Sequence, residues 1–320
     1  MLPPSPSISD IEKAAARIIN LVHRTPIMSS RLINDIAGCK LSFKCENLQK
    51  TGAFKARGAS NAVMQLSEKQ AAKGVATHSS GNHGAALALA AQNRNIPAFV
   101  VLPNNAPQLK IKAVEGYGAN LIFCEPTLAA REHAVDAVVA NTGAHYVPPY
   151  DYFDVICGQG TVGLEILEQL AGEEPDVIIT PVGGGGLLSG TAIAVKSKAP
   201  NCKVIGAEPE GADDAFRSFK LGQHITQHTP DTIADGLRTT LGKINFHIIR
   251  NHVDDILLVN DQQIITAMQL IWSRMKLIVE PSAAVPLAAV LANKELFSGQ
   301  HIAIVLSGGN IDLQQLPWQT

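Results

Sequence analysis

The chain has 320 residues, of which 46% are hydrophobic and 17% charged, with a formal net charge of −2. That length exceeds one ordinary domain of ~100–200 residues and predicts one large α/β domain or two interlocked ones. The near-neutral balance lacks the basic footprint of a nucleic-acid binder or a polybasic membrane surface, so neither partner is expected.

The first residues, MLPPSPSISDIEKAAARI, put acids and prolines where a secretory leader has a basic patch and an apolar run. No apolar run approaches the ~20 residues that span a bilayer. Five scattered cysteines (Cys39, Cys45, Cys124, Cys157 and Cys202) form no CxxC pair, which argues against a disulfide framework or zinc knuckle. A soluble, cytoplasmic protein is expected.

In chain order, strands are predicted at 41–46, 74–79, 97–103, 119–125, 176–182, 203–208 and 301–307. Small-residue helical stretches separate them, among them GNHGAALALAAQNRN, APQLKIKAVEGY and LAAREHAVDAVVANTG. Such alternation reads as βαβ units around parallel sheets, and the continuous apolar character of DVIITPV and IAIVL suits strands covered on both faces. The Pro-rich break YVPPYDYFD leads into a helix at about 157–171. The expected organisation is a large domain of residues 1–73 and 151–320, with a smaller domain, 74–150, inserted into it.

Several stretches could carry chemistry. In QKTGAFKARGA, Lys55 follows a Thr51–Gly52 turn, with Phe54, Ala56 and Ala59 around it. Most lysines are solvated, but one beside an apolar wall loses hydration, which lowers its pKa and frees the amine as a nucleophile. Phosphate pairing would tolerate arginine, and Arg57 is two residues away; a Schiff base requires lysine. THSSGNHG (77–84) offers hydroxyls, an amide and an imidazole at a strand end, suited to gripping a carboxylate and equally to capping a helix. In TPVGGGGLLSG (180–190) a strand runs into Gly183, Gly184, Gly185 and Gly186 before a helix. Four residues without Cβ let successive N–H groups cup an anion, and the helix start adds donors. Neither GK[ST] nor a clear GxGxxG is present, so a small phosphorylated cofactor fits better than a dinucleotide. AEPEGADD (207–214) crowds oxygen ligands suited to a hard cation, although a solvated acidic loop is the simpler reading of these residues alone. VLSGGN (305–310) closes the last strand with a hydroxyl and two glycines, where parallel sheets bind ligands. The histidines outside SSGNHG (79–84) show no metal-ligand spacing and read as surface or satisfied core residues.

Lysine, SSGNHG, tetraglycine and SGGN in this order resemble a fold-type II pyridoxal-phosphate enzyme, and within that group the serine racemase and serine/threonine dehydratase family. The resemblance covers essentially the whole chain, from RTPIMSS (24–30) to MKLIVEPSAA (275–284) and LSGGN. It implies an α/β, two-domain, tryptophan synthase β-like fold with parallel-rich twisted sheets flanked by helices. It further implies pyridoxal 5′-phosphate held by Lys55 as a Schiff base, with Phe54 lining the ring and Asn82 at its hydroxyl. Gly183 to Gly186 and Leu187 would hold the phosphate, Ser307 the pyridine nitrogen, with Glu280 nearby and Gly236 against the cofactor. Ser79, Ser80 and His83 would surround the substrate carboxylate, with Arg131 a further substrate residue.

Ser80 is the informative difference, because threonine-specialised dehydratases usually carry alanine there. In the racemase-like branch its hydroxyl is the second acid/base, opposite Lys55. The family's divalent-cation site matches Glu208, Asp214 and the Ala212 carbonyl, which reverses the solvated-loop reading and predicts Mg²⁺ or Mn²⁺, with Ca²⁺ as an alternative. A homodimer is implied. Ala85 stands where animal serine racemases use a glutamine for ATP, while Lys50, Thr51 and Tyr117 match, which weakens the case for nucleotide activation without removing it. The PPYD stretch (148–151) resembles microbial members, including 3-hydroxyaspartate dehydratases. Two readings compete: an NAD(P)-binding oxidoreductase using GGGGLLSG with Glu208, and a non-catalytic amino-acid-binding module.

Overall fold

A computed structural model describes residues 5–79, 81–106 and 108–319. Ten strands are described: β1 (Ile27–Met28), β2 (Lys40–Lys44), β3 (Val75–Thr77), β4 (Ala98–Pro103), β5 (Asn120–Cys124), β6 (His145–Tyr146), β7 (Val177–Pro181), β8 (Lys203–Pro209), β9 (Asp255–Val259) and β10 (His301–Val305). They form a six-stranded sheet in the order β1-β2-β10-β7-β8-β9 and a four-stranded sheet in the order β5-β4-β3-β6. All pairings are parallel except β1 with β2.

Alternation along the central strands explains how both faces of the larger sheet are buried. Val177 and Ile179 of β7 and Ile302 and Ile304 of β10 join one core, which includes the Pro281–Ala292 helix. Ile178, Ala303 and Val305 point to the other core, with the Phe153–Gln169 and Gly186–Lys198 helices. A period of two with apolar residues on both sides is what a sheet sandwiched by helices requires. The four-stranded sheet carries the Asn82–Arg94, Gln108–Glu115 and Leu128–Thr142 helices. The Lys55–Gln65 helix shares its core: Ala59, Ala62 and Val63 pack with Val75, Ala86 and Ala90.

The seven predicted strands all form, while β1, β6 and β9 were not expected. The helix expected at about 157–171 begins at Phe153. The loops leaving the carboxyl ends of β3, β7 and β10 carry Ser79–Asn82, Gly183–Gly186 and Ser307–Asn310. These are the crevice positions where parallel sheets bind ligands. No helix among the described residues is long and apolar enough to cross a membrane.

Candidate active site

Two turns are stitched together to present Lys55. Thr51 and Gly52 adopt left-handed backbone conformations, with φ of 59° and 71°. Ala53 then bridges antiparallel to Gly308, and the Phe54 N–H donates to the Ser307 carbonyl at 3.0 Å. Asn310 Nδ2 donates to the Thr51 carbonyl at 2.7 Å. The end of β10 therefore fixes where the Lys55–Gln65 helix begins. The Lys55 side chain enters a cleft of about 330 Å³ lined by Phe54, Asn82, Gly183–Leu187, Gly236, Glu280 and Ser307. Its Nζ donates to the Pro149 carbonyl at 2.6 Å and lies 5.1 Å from the centre of the Phe54 ring. Burial pushes the amine down to about 8, against the opposing charge of Glu280. This amine has a neutral partner and little water, so its uncharged form is accessible near neutral pH.

Across the cleft, β7 ends in the tetraglycine loop, which opens the Gly186–Lys198 helix. Gly185 has φ of +90°. A Cβ on Gly184 would lie 2.3 Å from Tyr150 Cγ, and one on Gly183 would lie 2.8 Å from Leu237 Cα. The loop is glycine because a ring and a neighbouring backbone occupy the space of side chains. Asn245 Nδ2 holds the Gly184 carbonyl at 2.8 Å. At a helix start the first N–H groups have no intrahelical acceptor, so this turn is a ready anion cradle.

Asn82 stands between two partners: Nδ2 donates to the Glu280 carboxylate at 3.0 and 3.2 Å, and Oδ1 accepts from Asn310 Nδ2 at 2.9 Å. Burial raises Glu280 to about 7, and the nearby charge of Asp235 adds to the shift. Gly236 N donates to Ser282 Oγ at 3.1 Å, close to Glu280. Ser307 is buried. Ser79 and Arg131 both line the cleft, and Arg131 Nε donates to the Thr127 carbonyl. His83 is buried, with its Nε2 3.1 Å from the Val147 carbonyl; burial pushes it down to about 3. A carbonyl only accepts, so Nε2 carries the proton and Nδ1 presents a lone pair. That neutral ring has no N–H left for a carboxylate. Ser80 lies outside the described residues.

Sequence reasoning missed several lining groups: Pro149 and Tyr150, the Lys110–Asp235 ion pair at 2.6 Å, and Asn310 as the bridge between loops. PPYD was legible as part of a Pro-rich break and SGGN as a strand-end loop, but nothing in them signals that one ring fills the glycine loop. Arg57 is outside the cleft, buried between Glu46 and Glu165.

The acidic stretch is not the solvated loop its composition first suggests. Glu208 and Asp214 are fully buried, whereas Glu210 is exposed. Glu208 accepts N–H bonds from Ala215 and Phe216 at the start of the Asp214–Leu221 helix. Asp214 Oδ2 accepts from Leu241 N at 2.7 Å, and Oδ1 has no hydrogen-bond partner. Burial, and then the charge of Asp214, raises Glu208 well above the usual carboxylate range. An unpartnered buried oxygen beside a second carboxylate fits a cation. Among the described residues, however, no three His, Cys, Asp or Glu side chains gather as a closed metal centre.

A reactive, desolvated lysine facing a glycine anion cradle defines a site for a phosphorylated carbonyl cofactor. The chain belongs to the pyridoxal-phosphate dependent enzyme family, whose model matches residues 18–308. It is 48% identical over 313 residues to a beta-hydroxyaspartate dehydratase of Paracoccus denitrificans, covering 98% of this chain and 99% of that protein. It is 49% identical to a serine racemase of Dictyostelium discoideum, covering 97% of this chain and 96% of that protein. The structure of maize serine racemase superposes with a TM-score of 0.95 at 46% identity, covering 97% of this chain and 95% of that one. The protein is thus a fold-type II pyridoxal-phosphate enzyme, which displaces the dinucleotide and non-catalytic readings.

Proposed function

We propose that the protein removes the α-proton of a 3-hydroxy amino acid (serine, threonine or 3-hydroxyaspartate) and then either eliminates or racemises. The observation that carries this reading is the Lys55 amine, held at a neutral carbonyl inside the cleft and facing the glycine loop. The family resemblance and the names of the relatives supply the substrate class.

Bound pyridoxal phosphate supplies an electron sink that acidifies the substrate Cα–H. The residues suited to hold it are Lys55 at its aldehyde carbon, Gly183–Leu187 at its phosphate, Phe54 and Gly236 beside the ring, Asn82 at the ring hydroxyl and Ser307 at the ring nitrogen. Ser307 is neutral, so the nitrogen there is not forced to take a proton. Glu280 supports Asn82 through its two hydrogen bonds. Once displaced by substrate, Lys55 Nζ takes the α-proton. Loss of the β-hydroxyl as water, followed by hydrolysis of the resulting imino acid by a second water, gives a keto acid and ammonia. Return of a proton from the opposite face inverts the centre, and Ser80 is assigned that role. The loop at 79–83 and Arg131 orient the substrate carboxylates.

Glu208, Asp214 and the Ala212 carbonyl are assigned a divalent cation, Mg²⁺ or Mn²⁺, supported by the unpartnered Asp214 Oδ1. Domains of 1–73 with 151–320, and of 74–150, a homodimer and a cytoplasmic location complete the proposal. ATP activation is left outside it, because Ala85 offers no side-chain hydrogen bond. The test measures keto acid and D-isomer from each substrate. Ser80→Ala is expected to lose racemisation at least ~10²-fold more than elimination, the scale of one acid/base group. Equal loss of both products would contradict a second proton donor.

A further inference from the structure

One buried group has no role in the chemistry described above. The His228 side chain is 6% exposed, and neither ring nitrogen has a hydrogen-bond partner. Its Nε2 lies 3.4 Å from Asp214 Oδ1, which is itself fully buried and unpartnered. A buried imidazole ordinarily donates at one nitrogen and accepts at the other. Here two potential ligand atoms lie within ion-pair reach of each other but share no hydrogen bond. Their spacing matches neighbouring ligands of one divalent ion: bonds of ~2.0–2.4 Å meeting at ~90–115° give that separation.

Glu208 has turned both oxygens to the amides of Ala215 and Phe216, each keeping one lone pair in reserve. The neighbouring atoms left without a hydrogen bond are therefore Asp214 Oδ1 and His228 Nε2. Resting on the cation reading above, we infer that His228 Nε2 is a direct ligand to the divalent cation at Asp214. A nitrogen ligand converts an all-oxygen site into a mixed one, whose preference moves from Mg²⁺ and Ca²⁺ toward borderline transition metals such as Co²⁺ and Zn²⁺. The site also reaches the cleft: Asp214 Oδ2 holds the amide of Leu241, and Arg238, Thr239 and Thr240 just before it line the cofactor cleft.

The test uses holoenzyme freed of divalent ions by chelation and titrated calorimetrically with Co²⁺ and with Mg²⁺. One Co²⁺ per chain is expected to bind at least ~10-fold more tightly than Mg²⁺. His228→Phe is expected to lose ~10-fold or more of the Co²⁺ affinity while Mg²⁺ affinity stays within ~3-fold. Unchanged Co²⁺ affinity in His228→Phe overturns the assignment. Pulsed electron paramagnetic resonance of wild-type holoenzyme loaded with one equivalent of Mn²⁺ needs no variant: coupling to an imidazole ¹⁴N is expected, and its absence also overturns it. If Asp214→Asn abolishes binding of both ions and His228→Phe changes neither, the cation site stands and the imidazole ligand falls. If the wild type binds no divalent ion, both fall.

Discussion

Lys55 and Arg57 lie two residues apart at the start of one helix, and the surroundings treat their charges in opposite ways. Arg57 is fully buried, yet its guanidinium meets both oxygens of Glu46 at 2.8 Å and those of Glu165 at 2.7 and 2.9 Å. Lys44 completes the cluster through Glu165 at 2.6 Å and the Thr25 carbonyl at 2.8 Å. Lys55 has a backbone carbonyl and the face of the Phe54 ring instead. Both cations are taken from water; one is given carboxylates and the other is not. Countercharge locks a cation in its charged form, and its absence leaves the amine free to lose its proton. The helix is thus anchored by one cation and made reactive by the other.

Exchanging the two chemistries should break this division most severely at Lys55. Lys55→Ala is expected to abolish the yellow absorbance of the purified protein and cut activity more than ~10³-fold. Lys55→Arg should be equally inactive, because a guanidinium keeps the charge but cannot serve as the amine. Borohydride should fix cofactor to wild type alone. Unchanged visible absorbance in Lys55→Ala would overturn the site.

At Arg57 the loss is structural. Arg57→Met leaves Glu46 buried with only part of its countercharge, which should cost about 3–5 kcal/mol in denaturant unfolding. Arg57→Lys should recover some of this without restoring the paired geometry. A loss below ~1 kcal/mol would mean that the cluster is more hydrated than its burial implies.

A third comparison is made by pH, in cofactor-free protein. The folded chain releases the Lys55 proton near pH 8, whereas an unfolded lysine holds it to about 10.5. Below pH 8 the folded state therefore carries a penalty of order 3 kcal/mol, which fades as pH rises through 8 to 10.5. Lys55→Met should be more stable than wild type at pH 7, with the gap closing across that window. Glu280 has the opposite sign: raised to about 7 from 4.5, it favours the folded state less as pH rises through that interval. Glu280→Gln should gain over wild type above pH 7 and lose the gain by pH 4.5. Parallel curves for variants and wild type would contradict the desolvation of the cleft.

Legibility of the fold in the sequence followed from how local each signal is. The strands of the two sheet centres announce themselves because burial on both faces writes continuous apolar runs such as VIIT and IAIV. β1 and β6 are two residues each and carry no periodicity, and β9 is a half-buried edge strand entered through the polar NHVDD. The glycine loop and the Thr51–Gly52 turn were readable because backbone conformation restricts residue type there. Burial of Glu208 and Asp214 was not, since acidic residues in a loop look the same whether water or a protein core surrounds them. His228 and Tyr150 were missed for the same reason: their partners are distant in sequence.

The weakest expected effect concerns the mouth of the cleft. Lys110, from the Gln108–Glu115 helix on the four-stranded sheet, pairs with Asp235 on the other side at 2.6 Å. Their side chains are 32% and 45% exposed, so solvent screens the pair, and Lys110→Ala should change global stability by no more than ~1 kcal/mol. Glu280 should respond more clearly than stability does. Asp235 raises its pKa, while the Asn82 hydrogen bond and Lys110 lower it, so removing Lys110 weakens the opposition to the upward push. The Glu280-dependent stability window should then move to higher pH in Lys110→Ala and to lower pH in Asp235→Asn. A shared direction in the two variants would mean that the pair acts on the cleft by opening it rather than through charge.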